Sequence, residues 1–205
     1  MKVAIVGSSE SGKSTIIHLI ERFYDANKGE ILIDDINIKE LNLFQLRKKI
    51  GLISQEPVLF KRGIYENILY GDLNAERSQV FEAANKSFIS KMLSDKEFHI
   101  KDNLGSFGEK QRISIARVIL KNPAILLTDD ATSVLDNESE KEIKKSIFEL
   151  QKGRTSVSVT HRIHNVVNYD NILYLENGKI VEKGNHYQLM QLKGKYHKLF
   201  SLSKK

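Results

Sequence analysis

The sequence predicts an α/β protein, with a largely parallel sheet and an α-helical segment inserted between its strands. Three features carry that prediction. A short apolar strand, Lys2-Val3-Ala4-Ile5-Val6, runs into a glycine-bounded loop and then into an amphipathic segment. A continuous apolar run, Ala124-Ile125-Leu126-Leu127-Thr128, lies between Pro123 and Asp129, the pattern of a strand buried on both faces of a parallel sheet. Between the two, from Leu59 to about Leu120, the apolar periodicity is helical.

Thr15 to Phe23 reads as a helix with Ile16, Leu19, Ile20 and Phe23 on one face. Gly29 to Asp35 reads as a strand and turn, Phe44 to Lys48 as a short helix, and Lys49 to Ser54 as a strand. Pro57 cannot donate to a ladder, so that strand ends at Gln55-Glu56-Pro57. Gln55 thus sits at a strand end, where α/β proteins place ligand groups. Ile64 to Leu69 and Ala75 to Leu93 are helical, Ser94 to Asn103 is polar and loop-like, and Ser106 opens a strong helix with Ile113, Ala116, Ile119 and Leu120 on one stripe. This divides the chain into a core of residues 1–58 and 119–205 and a helical subdomain of residues 59–118. Glu138 to Leu150 is an amphipathic helix, with Asn137 and Glu140 at capping-box spacing. Thr155 to Thr160 is a β-branched strand ending at His161. Asp170 to Leu175 and Lys179 to Glu182 form a hairpin around Asn177-Gly178, and Tyr187 to Leu202 closes the chain as a helix.

Composition narrows the function classes. The 205 residues are one domain's worth. There are no cysteines, which excludes disulfides and thiolate metal sites. The net charge of +6 comes from scattered lysines with no interleaved aromatics for base stacking, so it reads as a solvated surface and no nucleic acid partner is expected. No apolar run approaches the roughly 20 residues of a membrane span, and the N-terminus is too poor in apolar residues for a signal peptide. The chain by itself is expected to be soluble.

The chemistry is concentrated in Gly7-Ser8-Ser9-Glu10-Ser11-Gly12-Lys13-Ser14-Thr15, which fits G-x-x-x-x-G-K-[ST]. The two glycines let the backbone turn so that successive N–H groups face inward and cradle phosphate oxygens. Lys13 reaches the β- and γ-phosphates, and the Ser14 hydroxyl ligates Mg²⁺. The plain alternative is a glycine-serine turn, but the pattern arises by chance in only on the order of one such chain in a hundred. The strand before it and the helix after it make chance rarer. Glu10 is out of place in a phosphate cradle unless its carboxylate points outward. Asp129, at the carboxyl end of the apolar strand, can hold Mg²⁺ through water opposite Ser14. Asp130 beside it can polarise an attacking water. His161 and His164 have no third ligand at metal-binding spacing.

The loop, Gln55, ILLTDD, ATSVLD and His161 in VTHR occur in the order of an ABC transporter nucleotide-binding domain, and the chain resembles that family over nearly its whole length. LRKKIGLISQEPVLF, IYENILYG and GKIVEKGNH resemble the exporter (B-type) class. GEKQR and RFYD resemble mitochondrial half-transporters linked to iron–sulfur metabolism. The resemblance implies a P-loop NTPase fold, with a RecA-like parallel-sheet core and a helical subdomain. It also implies a head-to-tail dimer with a second nucleotide-binding domain enclosing two ATP molecules, and coupling to the transmembrane domain of an exporter, with the nucleotide domain on the cytosolic or matrix side. It makes Gln55 the residue that senses Mg²⁺ and the attacking water, and Asp129 the metal-holding aspartate. Asp136 becomes the aspartate at the dimer seam, and His161 the switch histidine on the γ-phosphate.

Four departures qualify the likeness. Asp130 stands where the family has glutamate, and its shorter reach, a misplacement of more than about 1 Å, can cost about a hundredfold in rate. The signature motif stands as Gly105-Ser106-Phe107-Gly108-Glu109, with Phe107 where a glycine allows close approach to a γ-phosphate. Ser106 and Glu109 keep capping-box spacing, so this helix end reads equally as a plain cap and as an anion site in which Ser106 and Gly108 face the nucleotide. The chain starts only a few residues before the loop, without the family's earlier adenine-stacking aromatic, so it reads as truncated at the N-terminus, with affinity lowered roughly ten- to a hundredfold. Lys96 to Leu104 lacks the glutamate-arginine-glycine pattern that faces the membrane domain. The leading expectation is an ATPase coupled to export. A module that binds ATP and dimerises without efficient turnover is the alternative favoured by Asp130 and Phe107. A soluble ABC ATPase of DNA repair or translation is opposed by the lack of a coiled-coil insert or second cassette.

Overall fold

A computed structural model describes residues 1–91, 106–133 and 135–203. Strand β1 (Lys2–Gly7) leads through the glycine loop into helix α1 (Lys13–Ile20). A small hairpin follows, β2 (Leu32–Ile33) and β3 (Ile36–Asn37), then α2 (Leu43–Lys49) and β4 (Ile50–Ile53). Helices α3 (Ile64–Leu69), α4 (Arg77–Lys86) and α5 (Phe107–Lys121) precede β5 (Ile125–Asp129). After α6 (Asn137–Gln151) and β6 (Thr155–Val159) come a 3-10 turn at Ile163–Val166, β7 (Asn171–Glu176) and β8 (Lys179–Gly184). Helices α7 (His186–Leu192) and α8 (Lys195–Leu202) end the chain.

The main sheet has six strands in the order β4-β5-β6-β1-β7-β8. β1 pairs in parallel with β6, Val3 opposite Val157, and with β7, Ala4 opposite Ile172. β8 returns antiparallel to β7 through Asn177 and Gly178, both at positive φ (49° and 73°), as an Asn-Gly hairpin demands. The same backbone serves the β2–β3 hairpin, whose two turn residues, Asp34 and Asp35, have φ of 50° and 63°. The expected strand and turn over Gly29–Asp35 are therefore the first arm and the turn of a hairpin.

Two compact units share the chain. The first comprises Met1–Ile50, Leu127–Asp130 and Thr155–Lys205, and the second Gly51–Leu126 and Ala131–Arg154. The core of the first gathers Ala4, Val6, Ile172, Leu189, Tyr196 and Phe200. Burial pushes the Tyr196 phenol up to about 12, and its hydroxyl lies 2.8 Å from His186 Nδ1. In the second unit one cluster joins α3, α4 and α5 through Ile68, Val80, Ala84 and Ile113, and another holds Ile53, Ile115, Leu126 and Ile143. Among the described residues no helix is long and apolar enough to cross a membrane.

Several expected details are corrected. Helix α1 buries Lys13 and Ile17, not the face of Ile16, Leu19, Ile20 and Phe23, and Phe23 is exposed. The helix stops because Arg22 takes a left-handed φ of 54°. Arg47 then reaches across to the freed carbonyls, donating from Nε to Glu21 O (3.1 Å) and from Nη2 to Arg22 O (3.1 Å), with its guanidinium 4.6 Å from the Phe23 ring centre. The α5 helix buries Ile115 and Val118 as well as Ile113 and Ala116, because it is covered on more than one side. Asp136, one residue before the expected Asn137, caps α6. The C-terminal segment is two helices instead of one. Lys193 turns left-handed (φ 52°), and the Glu182 carboxylate then accepts the N–H groups of Lys195 and Tyr196, opening a second helix. A Cβ at Gly194 would lie 2.2 Å from Glu182 Oε1. The helix expected over Ala75–Leu93 runs only over Arg77–Lys86, since Phe88 takes a left-handed φ of 60°, and the expected loop Ser94–Asn103 lies outside the described residues.

Asn67, fully buried in α3, holds the preceding loop. It accepts from Phe60 N–H (2.9 Å) and donates to the carbonyls of Phe60, Arg62 and Gly63 at 3.1, 3.1 and 2.9 Å. Arg117 adds bonds to Asn67 Oδ1, to Asn67 O (2.6 Å) and to Val58 O (2.6 Å). Asn67→Ala leaves several of these groups unpaired and is expected to cost about 2–3 kcal/mol, read from the shift in urea midpoint.

Candidate functional site

The loop between β1 and α1 is shaped by what cannot fit there. A Cβ on Gly7 would lie 2.1 Å from the carbonyl oxygen of Leu175 on β7. Gly12 caps α1 at φ 95°, open only to glycine without strain. The β7–β8 hairpin braces the loop, since Gly178 donates its N–H to Ser11 O (3.1 Å). Sequence reasoning missed that brace; its only signal was the Asn-Gly pair itself. Ser8, Ser9, Glu10, Ser14 and Thr15 are exposed, so the Glu10 carboxylate is in contact with solvent; Ser11 is buried.

Lys13 is 5% exposed, and its Nζ donates to Ser8 O (2.6 Å) and Ser11 Oγ (3.4 Å). Burial pulls its ammonium below the usual lysine value of 10.5, while the nearby Asp130 and Asp129 carboxylates push it back up. The Ser14 hydroxyl donates to Asp129 Oδ1 (3.2 Å), so the loop and the end of β5 meet. A hydroxyl beside a carboxylate is a hard-oxygen donor pair, suited to Mg²⁺ when the remaining positions are filled by water and phosphate oxygens.

Asp130 is 6% exposed with φ 45°. Its N–H donates to Val159 O (3.0 Å) on β6. Both of its carboxylate oxygens meet His161: Oδ1 accepts the His161 N–H (3.0 Å), and Oδ2 lies 3.3 Å from Nε2. The His161 side chain remains 48% exposed. His164 is engaged elsewhere, its Nε2 lying 2.9 Å from Ser203 Oγ and 3.0 Å from Ser203 O.

The other predicted residues belong to the second unit. Gln55 is exposed in a bend after β4. Ser106 and Glu109 form the expected capping box on α5, with Glu109 N–H to Ser106 Oγ at 3.3 Å and Ser106 N–H to Glu109 Oε2 at 2.6 Å. Gly108 is buried, and a Cβ there would lie 3.1 Å from Ser139 Oγ. Phe107 is half-buried. Arg112 joins the starts of α5 and α6 by donating to Ser139 Oγ (3.2 Å) and Glu142 Oε2 (2.7 Å). Asp136 accepts the N–H groups of Ser139 (2.9 Å) and Glu138 (3.1 Å), which hold its carboxyl below the usual range. Gly105 and residues 96–104 lie outside the described residues.

A phosphate loop opening a helix, facing an acidic strand end in a sheet of this order, defines a P-loop nucleotide-binding domain. Residues 1–133 match the family described as ABC transporter, and the chain belongs to that family. It is 46% identical over 207 residues to ABC transporter B family member 14 of Arabidopsis thaliana, a match covering 98% of this chain and 17% of that protein. It is 47% identical over 203 residues to ABC transporter B family member 4 of Dictyostelium discoideum, covering 96% of this chain and 26% of that one. The chain therefore spans only a minor part of the length of these relatives. Its fold superposes on a bacterial Atm1-family ABC exporter solved with ATP bound, with TM-score 0.89 and 37% identity, covering 97% of this chain and 36% of that one. Domains of this family are generally ATPases.

Proposed function

We propose that the chain binds Mg–ATP on the Gly7–Thr15 loop and hydrolyses it in a head-to-tail dimer with a second nucleotide-binding domain, driving the transmembrane domain of an exporter. The membrane association of the chain then comes through that partner. The observation that supports this most is the Ser14 hydroxyl 3.2 Å from Asp129 Oδ1 beside the buried Lys13. The loop amides and the start of α1 hold the triphosphate oxygens, and Lys13 exchanges its bonds to Ser8 O and Ser11 Oγ for phosphate. Ser14 and Asp129 would hold Mg²⁺, with Gln55 proposed as a further ligand, and the ion would supply positive charge to the phosphates during turnover. Asp130 orients the attacking water and takes its proton as the water oxygen bonds to the γ-phosphorus. The bond to the leaving ADP oxygen breaks with its electron pair going to ADP. His161 steadies the γ-phosphate. Ser106 and Gly108 of one domain close the site of the other, with Asp136 at the seam.

A second reading has one observation behind it: both Asp130 oxygens already meet His161. On that reading the chain binds ATP and dimerises with an active partner while turning over little itself. Steady-state ATPase measurements separate the two. A dimeric ATPase is expected to show a rate per chain that climbs with protein concentration, and Ser14→Ala should lower turnover and raise the Mg²⁺ needed for half-maximal rate. Wild-type chain that binds ATP but hydrolyses none, even at high concentration, would leave the second reading standing.

A further inference from the structure

Gln111 lies on α5, five residues past the helix cap Ser106, and is 0% exposed. Its Nε2 donates to Ser54 O (3.1 Å) and to Ala131 O (3.0 Å), 57 and 20 residues away along the chain. Both neighbours of those carbonyls matter: Ser54 precedes Gln55, and Ala131 follows Asp130. The orientation of the amide is fixed by chemistry, because two carbonyl acceptors can be met only by the NH₂ end. Both amide hydrogens are thereby used. The other end, Oε1, is buried without a hydrogen-bond partner among the described residues. An apolar side chain in its place would leave the Ser54 and Ala131 carbonyls without these donors, so what the glutamine supplies is the tie between the two segments.

We infer that Gln111 is a positioning residue, a strut from the signature helix that fixes the main chain next to Gln55 and next to Asp130 at once. This rests on the ATPase reading above for its consequence, but not for the strut itself. It gives α5 a direct hold on the two segments that carry the metal-sensing and water-orienting groups. A shift of α5 by a fraction of an ångström is passed to both carbonyls together, since one planar amide holds them.

Two variants test it. Gln111→Met keeps length and removes both donors. Gln111→Glu keeps shape, and burial between two carbonyls raises its carboxyl pKa. As pH falls, the neutral acid regains one donor. In nucleotide-free protein, amide hydrogen exchange at Gln55, Glu56, Thr132 and Ser133 is expected to quicken at least tenfold in Gln111→Met, with exchange in β1 and β7 unchanged. In turnover, kcat should fall about tenfold to a hundredfold while ATP affinity stays within threefold of wild type and the Mg²⁺ needed for half-maximal rate rises. Gln111→Glu should recover part of its kcat as pH is lowered from 8 to 6, relative to wild type at each pH. In a Gln55→Ala background, Gln111→Met should cost less than it does alone. Unchanged exchange at both segments overturns the strut. A kcat loss that adds in full to that of Gln55→Ala, or that matches a loss of ATP affinity, overturns its action through Gln55. Should Gln111→Met fail to fold, the Gln111→Glu pH profile decides: no recovery at low pH overturns the inference. Absent wild-type hydrolysis alongside quickened exchange sinks the ATPase reading and leaves the strut.

Discussion

Replacing Lys13 with methionine is expected to weaken ATP binding about a hundredfold and, at neutral pH, to stabilise the nucleotide-free chain. The two effects have one cause. The ammonium is 5% exposed and, among the described residues, bonded only to Ser8 O and Ser11 Oγ, neither of which carries charge. Burial lowers its pKa below 10.5 more than Asp130 and Asp129 raise it. The folded chain therefore gives up this proton at lower pH than the unfolded chain does. Between the two values the unfolded state binds more protons, so stability rises with pH there, and at pH 7 the charged form costs stability. Urea midpoints should thus be higher for Lys13→Met than for wild type at pH 7, and the gap should narrow as pH climbs towards 10.5. ATP reverses the balance, because phosphate oxygens supply the negative charge the buried ammonium lacks. Calorimetry reads the affinity. Wild-type affinity in Lys13→Met would remove this lysine from the phosphate site. A less stable variant at pH 7 would mean that the bonds to Ser8 and Ser11 outweigh burial.

What the sequence made legible was whatever is decided within a few residues. The glycines at 7 and 12, the Asn177-Gly178 turn, the Ser106 cap and the short helix Ile64–Leu69 all depend on local backbone demands, and each stands where it was expected. What failed depended on a residue far along the chain. Phe23 reads as core by spacing, yet it lies outside because Arg47 supplies the partner for the end of α1. Tyr187 to Leu202 reads as one helix, yet Glu182 receives the N–H groups of Lys195 and Tyr196 and opens a second. Asp136 and Asn137 are both good caps by chemistry, so spacing with Glu140 could not choose between them. The same limit applies to the site. Lys13, Ser14 and Asp129 come from motifs, but the grip of Asp130 on His161 needs β5 and β6 to lie side by side.

That grip sets up the second large effect. His161→Ala is expected to lower kcat about a hundredfold while leaving ATP affinity within a few-fold of wild type. The substitution removes the ring, which is 48% exposed with Nε2 3.3 Å from Asp130 Oδ2, but keeps the main-chain N–H that Asp130 Oδ1 accepts. It therefore separates the role of the ring from that of the peptide group. Asp130→Glu probes the other partner. Asp130 has φ 45°, a left-handed backbone that aspartate tolerates better than glutamate, so the longer residue carries strain of about 1 kcal/mol. Against this, the added methylene advances the carboxylate by about 1 Å, a displacement that can be worth about a hundredfold in rate. The gain in reach exceeds the strain, so turnover should rise, accompanied by a slightly lower melting temperature. If Asp130 acts on water directly, the gain should persist in a His161→Ala background. If it acts by aiming the imidazole, the gain should vanish there. Unchanged turnover in His161→Ala would remove the ring from the reaction, and a loss in Asp130→Glu would mean that this carboxylate serves to hold the start of the His161 segment and not the water.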